Sequence, residues 1–230
     1  MLKFVDCEFS AAGANKNAKV YGLTLEGAED VLVDGCTFNG IGYSAILNKT
    51  AGDVTVKNTK FECDNIKNPI EGGQATAQGN LTVEDCDFAG VPGNNFINFY
   101  NVAEGSVHTV KNCKFRGGMD NNIVRLSNKG NATATFNLED ITYEYTAGEE
   151  SEYTGFIICQ DYTKRTGTLQ DFGKYTINID RLTRPEEGVL FYNYTDGEGI
   201  ITENLPHVYV DGSLVYTATA EPFVEEEGEW

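Results

Sequence analysis

Histidine is nearly absent, with 2 in 230 residues, and no Cys/His spacing matches a zinc site. Proline is scarce at 5 residues, and no apolar run approaches membrane-spanning length. No phosphate-cradling loop occurs either: the stretch 72–80, GGQATAQGN, lacks the lysine such a loop needs. Basic residues thin out along the chain. Residues 1–130 hold 12 Lys and Arg against 15 Asp and Glu, and residues 131–230 hold 5 against 20. Most of the net charge of −18 therefore lies in the second part. That field repels nucleic acid and anionic membrane surfaces and suits cationic partners, divalent metal or plain solubility. No basic-plus-apolar leader opens the chain, so a protein made in a cytosol is expected.

What is present is a recurring phrase. It reads LKFVDCEF (2–9), VLVDGCTF (31–38), VTVKNTKF (54–61), LTVEDCDF (81–88) and HTVKNCKF (108–115). Weaker copies are FNLEDITY (136–143), INIDRLTR (177–184) and VYVDGSLV (208–215). The closing aromatic falls at 9, 38, 61, 88, 115 and 143, in steps of 29, 23, 27, 27 and 28. A period in the twenties with strand chemistry means a solenoid whose units cannot bury their apolar faces alone.

Places one, three, six and eight of the phrase are apolar in nearly every copy. Places one and three alternate as a strand does, and the switch to even inward places requires a bend between them. Place five supplies it with Asp6, Gly35, Asn58, Asp85, Asn112, Asp140 and Gly212, residue types that tolerate left-handed backbone. Place six holds Cys7, Cys36, Cys86 and Cys113, exchanged for Thr59, Ile141, Leu182 and Ser213 in other copies. That exchange marks a small buried position, so a ladder of reduced thiols is expected rather than disulfides. The closing rings Phe9, Phe38, Phe61, Phe88 and Phe115 form a parallel ladder. Place four runs Asp34, Lys57, Glu84, Lys111, Glu139 and place seven runs Lys60, Asp87, Lys114. Charge alternates from copy to copy, so direct stacking at about 4.8 Å makes opposite charges neighbours. A second strand follows each phrase by about eight residues, as in Ala45–Asn48, Phe96–Phe99, Ile123–Leu126, Phe156–Cys159 and Val189–Tyr192.

The alternating V-x-V, then Asx or Gly, then Cys, then Phe resembles the right-handed β-helix repeat of the pectate-lyase-like superfamily. The resemblance is strong over residues 1–145 and weak over 146–216. It implies an all-β, right-handed parallel β-helix and no particular activity, because that superfamily holds lyases, hydrolases, phage tailspikes and plain rods. Residues 146–216 are expected as irregular rungs or a β cap with longer loops, and 217–230 as an acidic docking tail.

Few residues suggest chemistry. Glu84, Asp85 and Asp87 cluster on one rung, yet alternation separates their directions and Lys57, Lys60, Lys111 and Lys114 lie beside them, so no metal site and no cofactor are expected. Glu149, Glu150 and Glu152 read as a solvated run rather than as paired acids for glycoside hydrolysis. Asp120–Asn122 and Asp64-Asn65 read as turn formers. Asp161, Tyr162, Lys164 and Arg165 form the most enzyme-like group. His108 occupies an apolar place and reads as a core residue, and His207 starts a strand. Partner docking is expected at the uncapped first rung (Met1, Leu2) and in the tail (Phe223, Glu225, Glu226, Glu227, Trp230). The leading functional expectation is a non-catalytic module of a larger assembly, with other protein subunits as partners. A virion component such as a bacteriophage capsid decoration or tail-associated protein comes first. A carbohydrate-active or carbohydrate-binding β-helix is the alternative, and an adhesin-like rod a third. Neither nucleic acid nor membrane is an expected partner.

Overall fold

The computed structural model describes residues 1–11, 17–64, 66–73, 75–117, 123–128, 132–145, 155–161, 175–184, 189–194 and 207–217. They form an all-β parallel solenoid. Each turn of the coil begins with a phrase strand: β1 (Leu2–Val5), β4 (Asp30–Asp34), β7 (Asp53–Lys57), β10 (Leu81–Glu84) and β13 (Ser106–Lys111). After the bend come β2 (Glu8–Ser10), β5 (Thr37–Asn39), β8 (Lys60–Glu62), β11 (Asp87–Ala89) and β14 (Lys114–Gly117). β16 (Ala134–Tyr145) and β18 (Tyr175–Thr183) run through both positions as single long strands. The return wall is β3 (Tyr21–Glu26), β6 (Ser44–Lys49), β9 (Asn68–Gly72), β12 (Ile97–Phe99), β15 (Val124–Asn128), β17 (Gly155–Asp161) and β19 (Val189–Tyr194). These seven pair in chain order as a separate parallel sheet.

Register follows the phrase. Place one stacks as Leu2, Val31, Val54, Leu81, His108, Phe136, Ile177 and Val208. The bend is made as the residue types demand. Asp6, Asn58, Asp85, Asn112 and Asp140 take φ of 52°, 51°, 55°, 49° and 51°, and Gly35 takes 64°. The left-handed residue does not break the ladder. Its N–H donates to the place-four carbonyl of the next rung, as in Asp6 to Asp34 at 2.9 Å and Asp85 to Lys111 at 3.1 Å.

The core sits inside this coil. Phe9, Phe38, Phe61, Phe88 and Phe115 stack face to face, with centroids 4.8, 5.2, 4.5 and 4.6 Å apart and planes within 9°. Each such pair adds about 0.5–1.5 kcal/mol beyond the area it buries. Cys7 is half-buried, Cys36, Cys63, Cys86 and Cys113 are buried, and all five are free thiols. The Cys86 and Cys113 thiols donate to the carbonyls of Glu84 and Lys111, both at 3.2 Å, and the Thr59 hydroxyl donates to Lys57 O at 2.8 Å. Thr and Cys each set a short donor against the carbonyl two residues back, which explains why those two exchange there.

Two expectations need correction. The last phrase copy, 208–215, supplies only the first strand of a rung, stacked parallel on β18. Asp211 and Gly212 both take positive φ, 46° and 75°, and two such residues in a row reverse the chain where one only bends it. β20 (His207–Val210) therefore pairs antiparallel with β21 (Ser213–Thr217). At place seven, Lys60, Asp87 and Lys114 are register neighbours, but the Asp87 carboxylate takes the Arg116 guanidinium and Lys114 takes Glu144 at 2.7 Å. A guanidinium fork matches both carboxylate oxygens, which a single ammonium cannot do. Place four pairs Lys57 with Asp34 and Lys111 with Glu139, each at 3.3 Å.

Candidate functional site

The sequence candidates do not converge. Asp161 ends β17, in register with Asn128, while Tyr162, Lys164 and Arg165 lie outside the described residues. So do Glu149, Glu150, Glu152, Asp120–Asn122, Asn65 and the tail residues Phe223, Glu225, Glu226, Glu227 and Trp230. Asp64 accepts the Val91 N–H at 2.9 Å, and Asp85 accepts the Asn112 amide. Met1 and Leu2 are exposed on the first rung. Among the described residues, no three His, Cys, Asp or Glu side chains group as a metal would require.

His108 is buried, with Nε2 3.0 Å from the Ser106 hydroxyl and its ring stacked on Phe136 at 5.0 Å. Its Nδ1 meets no partner. Burial pushes its pKa down to about 3, so it stands neutral. His207 opens β20 and pairs in register with Thr176.

A different region gathers polar chemistry: the outer side of the return wall. Ala45 and Ile46 both belong to the core, so strict alternation breaks between them and Ser44 and Leu47 share the outer side. Register then lines up Leu47, Glu71, Asn98 and Arg125 across β6, β9, β12 and β15. The outer faces of such sheets usually meet water. This one does not: Glu71 is 6 %, Asn98 1 % and Arg125 8 % exposed.

The Ser44 hydroxyl donates to Glu71 Oε2. Burial raises the Glu71 pKa, against the opposing pull of Ser44, Asn68, Lys67 and Arg125. Burial, followed by the Glu71 charge, also raises the pKa of Tyr100 and Tyr21. Lys67 lies over the Tyr43 ring at 4.8 Å, with its ammonium 3.3 Å from the Tyr43 hydroxyl. The Arg125 guanidinium lies 5.9 Å from the Tyr100 ring centre, and the Tyr21 and Tyr43 rings are 5.5 Å apart. Tyr21, Tyr43 and Lys67 are half-buried and form the rim of the cluster.

Several amide atoms here are unmet. Asn68 Oδ1 accepts the Asn95 N–H, and its Nδ2 faces the Glu71 carboxyl closely enough to lower that carboxyl's pKa without making a well-formed hydrogen bond. The Tyr100 hydroxyl is near enough to the Asn98 amide to feel it, yet neither Nδ2 nor Oδ1 of Asn98 makes a well-formed hydrogen bond. Each unmet buried polar group costs about 1–3 kcal/mol. Stability given up in one patch is characteristic of residues kept for a task. The arrangement offers a carboxyl, planar amides and aromatic faces in one row, which is hydrogen-bonding rather than nucleophilic chemistry.

Sequence reasoning missed this cluster. β9 carries the run NPIEG, whose proline and glutamate do not look like a wall strand. The one usable signal was the polar residue at matching places in successive wall strands: Glu71, Asn98 and Arg125. No family model matches the chain, no curated protein matches it in sequence, and no solved structure matches it, so what it shows by itself is the parallel β-solenoid.

Proposed function

We propose that the chain is a non-catalytic structural module of a larger protein assembly, docking through the first rung of its solenoid. The observation that supports this reading is the state of that rung. β1, β2 and β3 are edges of their ladders, and Met1, Leu2 and Val5 are 76 %, 48 % and 49 % exposed. Phe4, Cys7 and Phe9 close that end of the core only in part. An open strand edge is a template for another chain. In this reading a neighbouring subunit supplies the strand that continues the coil, and a virion is the assembly put first, with the chain as a capsid decoration or tail-associated protein. Native mass measurement and cryo-EM test it. A multimer with Leu2–Val5 hydrogen-bonded to a second chain is expected. A monomer with that edge bare, or covered by residues of its own polypeptide, overturns the proposal.

The outer side of the return wall favours a second reading, a carbohydrate-binding β-helix of the pectate-lyase-like kind. Aromatic rings beside amides and a carboxyl are what sugar faces and hydroxyls recognise. Incubation with polyuronates and calcium, watched for unsaturated products, separates a lyase from a binding module.

A further inference from the structure

We infer that the Asn98 row on the outer side of the return wall is a subsite for adjacent hydroxyls of a neutral saccharide unit. The inference rests on the carbohydrate-binding reading and says where and what that reading would bind. Its first support is the pair of open atoms on one side chain. Asn98 is 1 % exposed, and both its Nδ2 donor and its Oδ1 acceptor are unmet. One planar amide with a free donor and a free acceptor fits a vicinal diol: one hydroxyl accepts from Nδ2 while its neighbour donates to Oδ1.

The second support concerns charge. The ionic groups around the row are already engaged within the chain. Glu71 takes the Ser44 hydroxyl, the Lys67 ammonium sits on Tyr43, and the Arg125 guanidinium lies over Tyr100. The open atoms of Asn98 itself are uncharged, a donor and an acceptor of one amide. A chain of net charge −18 also disfavours the approach of an acidic glycan. The half-buried ring of Tyr21 offers a face on which a sugar ring can stack.

The test is a titration of the full chain with cellotetraose, mannotetraose and galactotetraose, beside tetragalacturonate, read by side-chain amide resonances and calorimetry. The expected result is one neutral tetrasaccharide binding with Kd of about 1 mM or tighter and shifting the Asn98 amide resonance. Asn98→Ala should weaken that binding at least about tenfold. The wild-type resonance shift is an independent readout should Asn98→Ala not fold. Tetragalacturonate binding more tightly than every neutral sugar, or a neutral sugar binding without moving the Asn98 amide, overturns the subsite and leaves the carbohydrate reading standing. No saccharide binding at all overturns both.

Discussion

The Arg181 guanidinium grips both carboxylate oxygens of Asp140, Nε to Oδ1 at 2.5 Å and Nη2 to Oδ2 at 2.9 Å, across 41 residues of sequence. Both residues occupy place five on successive rungs, and both have left-handed backbone, with φ of 54° and 51°. Among the described non-glycine residues with positive φ, Arg181 alone is neither Asp nor Asn. The arginine beside it holds the Asp140 carboxyl below the usual carboxylate range.

Replacing Arg181 separates strain from pairing. Left-handed backbone disfavours a long side chain and suits asparagine. The ion pair is exposed and screened by salt. Arg181→Asn is expected to raise the melting temperature, most clearly at high salt, and Arg181→Val to lower it. Thermal unfolding at two ionic strengths checks both, and a fall for Arg181→Asn at high salt would show the pair outweighing the strain.

The phenylalanine ladder should be strongest in its interior. Phe88 stacks between Phe61 and Phe115 and meets Phe96 edge-on at 6.1 Å. Phe88→Ala is expected to cost about 3–5 kcal/mol. Phe9→Ala, at the half-buried end, should cost clearly less. Urea unfolding of the two variants decides, and equal losses would mean the rings do not act as a stack.

His108 makes the fold acid-sensitive. Its folded pKa of about 3 lies below the ordinary value of 6.5, so the unfolded chain binds the proton first as pH falls. Stability is fully present above 6.5 and is lost between there and about 3, by roughly 5 kcal/mol in the limit. His108→Leu, the place-one residue of the first and fourth copies, should flatten the His-linked slope of stability against pH in that window. An unchanged slope would show that His108 is not the group responsible.

Glu71 acts in the opposite sense. Its carboxyl titrates above the ordinary value of 4.5 in the folded chain. Its contribution is therefore full below 4.5 and lost as pH rises through the folded value. Glu71→Gln keeps a partner for Ser44 and removes the titration. The stability of the variant relative to wild type should rise across that window, and a flat difference curve would contradict the assignment.

The legible part of this molecule was whatever repeats. A left-handed bend needs Asx or Gly, a shared thiol position needs a small side chain, and a stack needs like rings at like places, so Asp6, Cys36 and Phe61 each declare their role in one dimension. The Asp-Gly pair at 211–212 was ambiguous because the same letters bend a rung at 34–35 and reverse a hairpin. Register alone gives Asp87 a lysine neighbour and does not say that Arg116, two residues past Lys114, reaches it instead. Glu71, Asn98 and Arg125 are invisible as a site in the sequence because polar residues on the outer side of a wall strand ordinarily face water, and their burial is a tertiary property that no local pattern records.

The hairpin of β20 and β21 has a consequence for anyone wishing to lengthen the rod. β21 runs against the direction of every phrase strand before it. A further parallel copy grafted onto it would meet a mismatched hydrogen-bonding pattern. Growth of the phrase wall at that face is thereby arrested, as by a selvage on woven cloth. A longer protein is better made by splicing an extra coil into the interior, between Lys111 and Ala134 for example, than by appending one past Thr217.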